Sequence, residues 1–574
     1  MNAPKSLLAL CAVATFGLSA LGQDAPTVDV PVALAPAATN NAQVPVALAV
    51  LVPDDAIAFG MTQAISQLEG VAADIAREVM PEMAEMMNAD MLLGMALPPG
   101  FDVTAIDRER PFGFAVGPLS MESEPQVFVL VPTNNPDAIK SLLPTEGEVY
   151  STRVSGGYLG ITRGPNYPMG TGKCSLLSGL PSGVVSLSVD LETIFETFGP
   201  MIEFGMQMGR MQMETAIAEI PEADMGVDMS ALMDGYFGMA ESAIDSLTGL
   251  KLSVAVEETL VDFRWQMLVS EGSPMAQVSQ GTPTDVATFL PLLSDDSLSF
   301  AMGADMGALL DQIRPFLDMA AAAYPEGMAE GLDASLDAWK NTYGLFGTAM
   351  AFSGGFTDEG MRMAGYFDGA HFDELLVRYS SIVREPFLET LGMHYVDMQQ
   401  AKLGETELTR FTFDFDVAAI LGESGEGADA EQVAMLQSMM QAIYGDRLVM
   451  TLAKTGDLGV LAVGGDDAYF TKVLGRAKQP GRLTPDIARL TSLAATANPF
   501  LAYRFDIGQL ITQMGSVMET SMGIPPSGLE MFTGTSLPLS MYVGVTPLEW
   551  TGGLMVDVVQ AREFAQLIQT AGDL

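Results

Sequence analysis

Basic side chains, histidine and cysteine are the scarce residues of this chain, and each shortage removes a class of function. There are 27 lysines and arginines against 72 aspartates and glutamates, a formal net charge of −45. A field of that sign repels nucleic acid and anionic lipid, so neither is an expected partner. The acidity itself reads as a solvated surface rather than as cation sites. The two histidines, His371 and His394, stand in no H-E-x-x-H or related ligand spacing. The local sequence puts His371 at a helix start and His394 beside a strand, so neither is assigned a catalytic role. No G-x-S-x-G elbow occurs.

The two cysteines are Cys11 and Cys174. Cys11 lies in an N-terminal stretch that reads as an export signal, with Lys5 ahead of an apolar run from Leu7 to Leu21 and small residues at Ala20 and Gly22. Cleavage near Gly22 leaves Cys174 alone, which excludes intramolecular disulfides and Cys/His zinc sites. Cys174 is expected to be a small buried residue rather than a reactive thiol. Beyond the signal no apolar run reaches the length of a membrane-spanning helix, so the mature chain is expected to be periplasmic or extracellular, without a transmembrane span. Residues 170–175 (Gly-Thr-Gly-Lys-Cys-Ser) have the flavour of a phosphate loop. That loop needs glycine where Tyr167 stands and serine or threonine where Cys174 stands, so the stretch reads as a turn.

What the chain does have is repetition. Residues 54–61 (Asp-Asp-Ala-Ile-Ala-Phe-Gly-Met) return at 295–302 as Asp-Asp-Ser-Leu-Ser-Phe-Ala-Met, an offset of 241. Leu250, Leu252 and Ser253 return as Leu537, Leu539 and Ser540, an offset of 287. The fold class expected is α+β: a tandem duplication with a first module at 53–282 and a second at 283–574. The second is the longer, by a hairpin near 394–415 and a Gly-rich insert at 422–428. A leader at 23–52, carrying two copies of Val-Pro-Val-Ala-Leu-Ala (30–35 and 44–49), reads as a linker.

Alternating apolar segments predict antiparallel hairpins, among them 110–116 with 126–131 across a polar Ser/Glu/Pro turn and a pair around Gly156-Gly157. A turn at Gly354-Gly355 is expected between strands 347–352 and 361–367. Asp190, Asp305, Asp416 and Asp506 each open an Asp-apolar-x-x-apolar-apolar run. A carboxylate there accepts from the free N–H groups of a helix's first turn, so the four are read as N-caps rather than as catalytic or metal-binding groups. The double acids Asp54-Asp55, Asp295-Asp296 and Asp466-Asp467 are read as turn and edge residues, because neighbours on a strand point to opposite faces.

Methionine is abundant, with 40 copies. Met201, Phe204, Met208 and Met211 follow helical spacing, with Met206 and Met213 between them. Three readings stay open: packed core, an adaptable apolar groove for a lipid, peptide or partner, or thioether binding of Cu(I). In pattern the chain resembles uncharacterised exported bacterial proteins built from repeated strand-plus-capped-helix modules, a domain of unknown function, and that resemblance implies no activity. The function expected is an exported, non-enzymatic binding or structural protein. The alternatives are a Met-rich Cu(I) protein and a hydrolase of undefined type. No catalytic, cofactor-binding or metal-binding residue is assigned, and no cofactor is expected.

Overall fold

The computed structural model describes residues 42–79, 102–118, 124–144, 149–168, 170–218, 229–257, 259–280, 288–303, 344–357, 360–384, 393–415, 430–445, 447–479, 499–522 and 532–572, with 286, 341–342, 487–488 and 490–491. The first half contains α1 (Val46–Ala49), β1 (Ala58–Ala64), α2 (Ile65–Val79), β2 (Pro111–Val116), β3 (Val127–Pro132), α3 (Pro136–Lys140), β4 (Tyr150–Ser155) and β5 (Tyr158–Arg163). It continues with β6 (Val185–Asp190), α4 (Leu191–Ala218), α5 (Met229–Ser246), β7 (Leu247–Glu257), β8 (Leu260–Val269) and α6 (Pro274–Gln280). The second half begins with β9 (Leu298–Met302), β10 (Met350–Thr357), β11 (Gly360–Asp368), α7 (Phe372–Ile382), β12 (Met393–Leu403), β13 (Thr406–Phe415) and α8 (Ala430–Tyr444). It ends with β14 (Leu448–Thr455), β15 (Leu458–Val463), α9 (Asp467–Lys478), β16 (Pro499–Asp506), α10 (Ile507–Met522), β17 (Pro538–Thr546), β18 (Glu549–Asp557) and α11 (Val558–Gly572).

All 18 strands belong to one antiparallel sheet, so the fold is mixed helix and strand on a single continuous frame. The sheet does not break between the two expected modules: β8 pairs with β18, the last of the described strands. Outward from that junction the two sides are laid out alike. One side runs β8, β7, β6, β1, β2, β3, β5, β4. The other runs β18, β17, β16, β9, β10, β11, β15, β14 and then adds the hairpin β13–β12.

The register of these pairings corrects the eight-residue match. Ala58 pairs with Val189, and Leu298 pairs with Phe505. Val189 and Phe505 each precede the aspartate that caps the next helix, so Ala58 and Leu298 hold like positions in their pairings. The sequence match had set Ala58 against Ser299, one residue further on. A one-residue slip turns every side chain to the opposite face. Phe59 is accordingly buried with Ala115 and Phe128, whereas Phe300 lies on the other face, stacked on Phe352 with ring centroids 5.1 Å apart.

Antiparallel pairing also fixes where the helices sit. Successive neighbours point in opposite directions, so α2, α10 and α11 leave from one end of the central strands, and α4, α5 and α6 lie at the opposite end. Each capping aspartate sits at such a strand end. Asp190 Oδ1 accepts the Thr193 N–H at 3.0 Å and Asp506 Oδ1 accepts that of Gln509 at 3.0 Å. Asp305 and Asp416 lie outside the described residues. Asp557 caps α11 in the same way, through the Val559 and Gln560 N–H groups, a helix the sequence reading missed.

Two further expectations are corrected. The C-terminal part of the leader is not a linker: Leu48, Leu51 and Val52 are fully buried against Phe59, Ala115, Phe128 and Tyr158. An apolar face on α1 and the turn after it seals one end of the sheet, and Val286, Phe289, Leu290, Leu292 and Leu293 do the same at the other end. Gly354-Gly355 is not a turn but lies inside β10. A Cβ on Gly354 would sit 2.7 Å from the Arg362 carbonyl oxygen, so these glycines mark close backbone approach. The Gly156-Gly157 turn is found where expected, with φ of +45° and +88°, which suits a tight right-twisted hairpin.

Candidate functional site

The strands nearest the β8–β18 junction have two unlike faces. On one face Ser186, Ser188, Ser253, Asp262, Ser299, Ser353, Arg504 and Ser540 are buried. On the other, register places Val254, Phe263, Leu554, Met541 and Tyr503 in one row, and Leu252, Trp265, Gly552, Val543 and Leu501 in the next. The covered face thus mixes these polar groups with the buried Phe59, Met61, Ala301, Ala502, Tyr542 and Met555, whereas the other face is apolar and partly open. Phe263 is 43 % exposed, and Leu252 and Leu554 are each 37 % exposed. The open face of a soluble sheet is ordinarily polar.

Several of the polar groups on the covered face have a structural explanation, although the buried Ser253 and Ser540 hydroxyls have no hydrogen-bond partner among the described residues. Irregular segments cross it, and their carbonyl groups need donors. Ser186 Oγ donates to the Pro181 carbonyl, and Lys251 Nζ to those of Ser178 and Gly179, both at 3.1 Å. Burial holds the Lys251 amine below its ordinary pKa. Near the other end, Ser299 Oγ donates to the Ser294 carbonyl at 2.8 Å and Arg504 Nη1 to that of Asp296 at 2.7 Å. These hydroxyls and charges pin the covering segments to the sheet.

The open apolar face has no such internal account. Its smallest position, Gly552, lies directly under the Trp265 indole, where a Cβ would meet Cζ2 at 2.1 Å. On the other face Gly553 is overlaid by Tyr542 in the same manner. Aromatic rings lying on glycine keep the junction low and flat, and Phe263 and Leu554 pair directly across it.

No protein-family model, no curated protein and no solved structure matches the chain. The surfaces themselves carry the functional reading.

The residues singled out in the sequence do not converge on a catalytic centre. His371 precedes α7, is mostly exposed, and has Nδ1 3.6 Å from Glu374 Oε2. His394 lies on β12 opposite Asp414. The glycine-lysine stretch is a packing turn: a Cβ on Gly170 would lie 1.9 Å from the Val52 carbonyl oxygen. Asp54 Oδ1 accepts the Thr171 N–H at 2.9 Å, and this bond holds its carboxyl below the usual range. Asp466 caps α9 through the Tyr469 N–H at 2.8 Å, and Asp467 pairs with Arg410. Among the described residues no group of three or more His, Cys, Asp or Glu side chains is placed to hold a metal ion. No described helix is long and apolar enough to cross a membrane.

The methionine cluster splits. At about 100° per residue, Met208 and Met211 share one side of α4 while Met206 and Met213 fall well around the helix, so one ion cannot collect all four thioethers from this helix.

Cys174 is buried beside Leu176 and Leu180, and burial pushes its thiol pKa up. A thiol so placed is a poor nucleophile. Alkylation at pH 8, followed by peptide mass spectrometry, is expected to be about a hundredfold slower for Cys174 in the native protein than in urea. Equal rates would show the thiol to be accessible.

Proposed function

We propose that this chain is an exported, non-enzymatic binding protein that offers the open apolar face of its central strands to an apolar ligand or partner. The observation that carries the reading is the apolar row at the junction, where Phe263, Leu252 and Leu554 remain exposed. An open apolar patch on a folded chain marks a place of contact. The same reading takes the chain as a tandem duplication, supported by the matching strand order on the two sides of β8–β18 and by the paired helix caps Asp190 and Asp506. The capped-helix pattern also supports a kinship with exported proteins built from such modules.

The test uses a solvatochromic apolar dye and a double variant, F263Q/L554Q. Both side chains are already exposed, so the fold should be kept, with an unchanged circular dichroism spectrum. Burying a Phe or Leu contributes about 1.5–3 kcal/mol each, so dye affinity is expected to fall by at least about tenfold. Native mass spectrometry of protein purified from its source should also show a bound apolar species. Unchanged dye affinity in the variant, with nothing bound in the native protein, would overturn the reading.

A further inference from the structure

The hairpin made by α4 and α5 carries a second apolar surface, separate from the sheet face. Along α4, Met201, Phe204, Met208 and Met211 recur at helical spacing on one side, and they are 61 %, 63 %, 37 % and 51 % exposed. The side that bears Ile202, Met206 and Gly209 is the packed one. A Cβ on Gly209 would lie 3.9 Å from the Phe237 ring of α5. The helix therefore already has its neighbour, and the exposed stripe is surplus to that packing. With 28 residues, α4 is about 42 Å long at the usual rise, enough to seat several turns of another helix.

We propose that this stripe docks a basic, amphipathic helix of a partner protein. Charge selects that occupant. Residues 191–246 contain eleven acidic side chains and a single basic one, Arg210, together with nine methionines. On α4, Glu196 and Glu203 are exposed along one margin of the stripe. An amphipathic helix presents apolar residues at i, i+3, i+4 and i+7 to such a stripe. Flexible, polarisable methionines adapt to whichever apolar side chains arrive. Lysines and arginines beside that apolar face would meet the acidic margin. A second copy of this chain brings the same net charge of −45 and is repelled, as is an anionic lipid surface. The proposal rests on the reading of the chain as a binding protein but uses a different surface from the central strands.

The experiment titrates the full chain with a fluorescent 18-residue peptide of leucine and lysine patterned for an amphipathic helix. Comparison peptides replace lysine by glutamate, or keep the composition but alternate the two residues. Zwitterionic and anionic vesicles, and sedimentation of the protein alone, form the other arms. The helical lysine peptide is expected to bind in the micromolar range or tighter, at least tenfold more weakly in 0.5 M than in 0.05 M salt. Binding should fall at least tenfold in M201Q/F204Q/M208Q/M211Q and severalfold in E196K/E203K. All of these positions are exposed, and circular dichroism checks that the variants are folded. No binding, equal binding by the quadruple variant, or equal binding of the glutamate peptide overturns the proposal. So does vesicle binding or self-association that the quadruple variant abolishes in place of peptide binding. If dye binding at Phe263 and Leu554 persists while the peptide fails, only the helix-docking proposal falls. If the dye fails while the peptide binds, only the sheet-face reading does.

Discussion

Replacing Asp506 by alanine is expected to lower stability by about 3–5 kcal/mol, whereas the same change at Asp190 should cost about 1 kcal/mol. The two residues look alike in sequence: each ends a strand, precedes a helix and caps its first turn. Their surroundings differ. Asp190 is half-buried and bonds to Thr193 through both backbone and side chain. Asp506 is 0 % exposed, and besides capping α10 it accepts the Leu537 N–H at 3.1 Å and the Ser536 hydroxyl. Arg504, itself 3 % exposed, stands 3.4 Å away. Alanine at 506 would leave that guanidinium buried without its carboxylate and orphan two N–H groups, which is where the large cost arises. D506N keeps an acceptor for the cap but not the charge, so it should fall between the other two. Urea unfolding followed by circular dichroism measures all three. Equal midpoints for D506A and D190A would show that Asp506 acts only as a cap.

The second large effect is expected at Leu48 and Leu51. A flexible leader would tolerate alanine at both positions without a change in stability. Here each side chain is fully buried in the core that includes Phe59, Phe128 and Leu130. Truncating a buried leucine costs about 2–5 kcal/mol, the spread reflecting how far the site can collapse. Tyr167 adds a tie, its hydroxyl donating to the Leu51 carbonyl at 2.8 Å, so collapse is restrained and each variant should lie in the upper part of that range. L48A and L51A are measured by the same urea titration. Val46, which is exposed on the same turn, supplies the control: V46A should be neutral. Neutral L48A and L51A would return the segment to linker status.

How much of this was legible in the sequence depends on the length scale of each signal. The hairpin β2–β3 and the cap at Asp190 are local, and spacing alone revealed them, whereas Asp466, read as a turn residue, proves to be a cap. The cap at Asp557 carried a similar signal, an acid after an apolar strand and before an apolar-periodic run, and was overlooked. The leader segment was misjudged because Pro, Ala and Val compose both linkers and small buried turns. Burial of Leu48 depends on a sheet built from residues far along the chain. The repeat at Asp54 and Asp295 was real as a string but one residue out as geometry, since similar letters can face opposite ways on paired strands. The exposed stripe of α4 was visible as Met201, Phe204, Met208 and Met211. Which side of the helix would be packed depended on α5, and no spacing rule supplies that. The open apolar face of the central strands was likewise hidden, because it depends on the segments that cross one face and leave the other.

The pairing of β8 with β18 also orders the events of synthesis. When residues through Thr546 have been made, β17 is complete, but the strand that must stand between it and β8 is not. Until residues 549–557 are made, the two halves are separate sheets, each ending in an unpaired edge more than eight residues long. Such edges template pairing with other chains. The loop that β18 closes spans nearly 300 residues, so the closure is slow compared with any hairpin in either half. Removal of β18 and α11 would cost more than one strand and one helix: it would uncover the edges of β8 and β17, adding two sticky borders in the middle of the sheet.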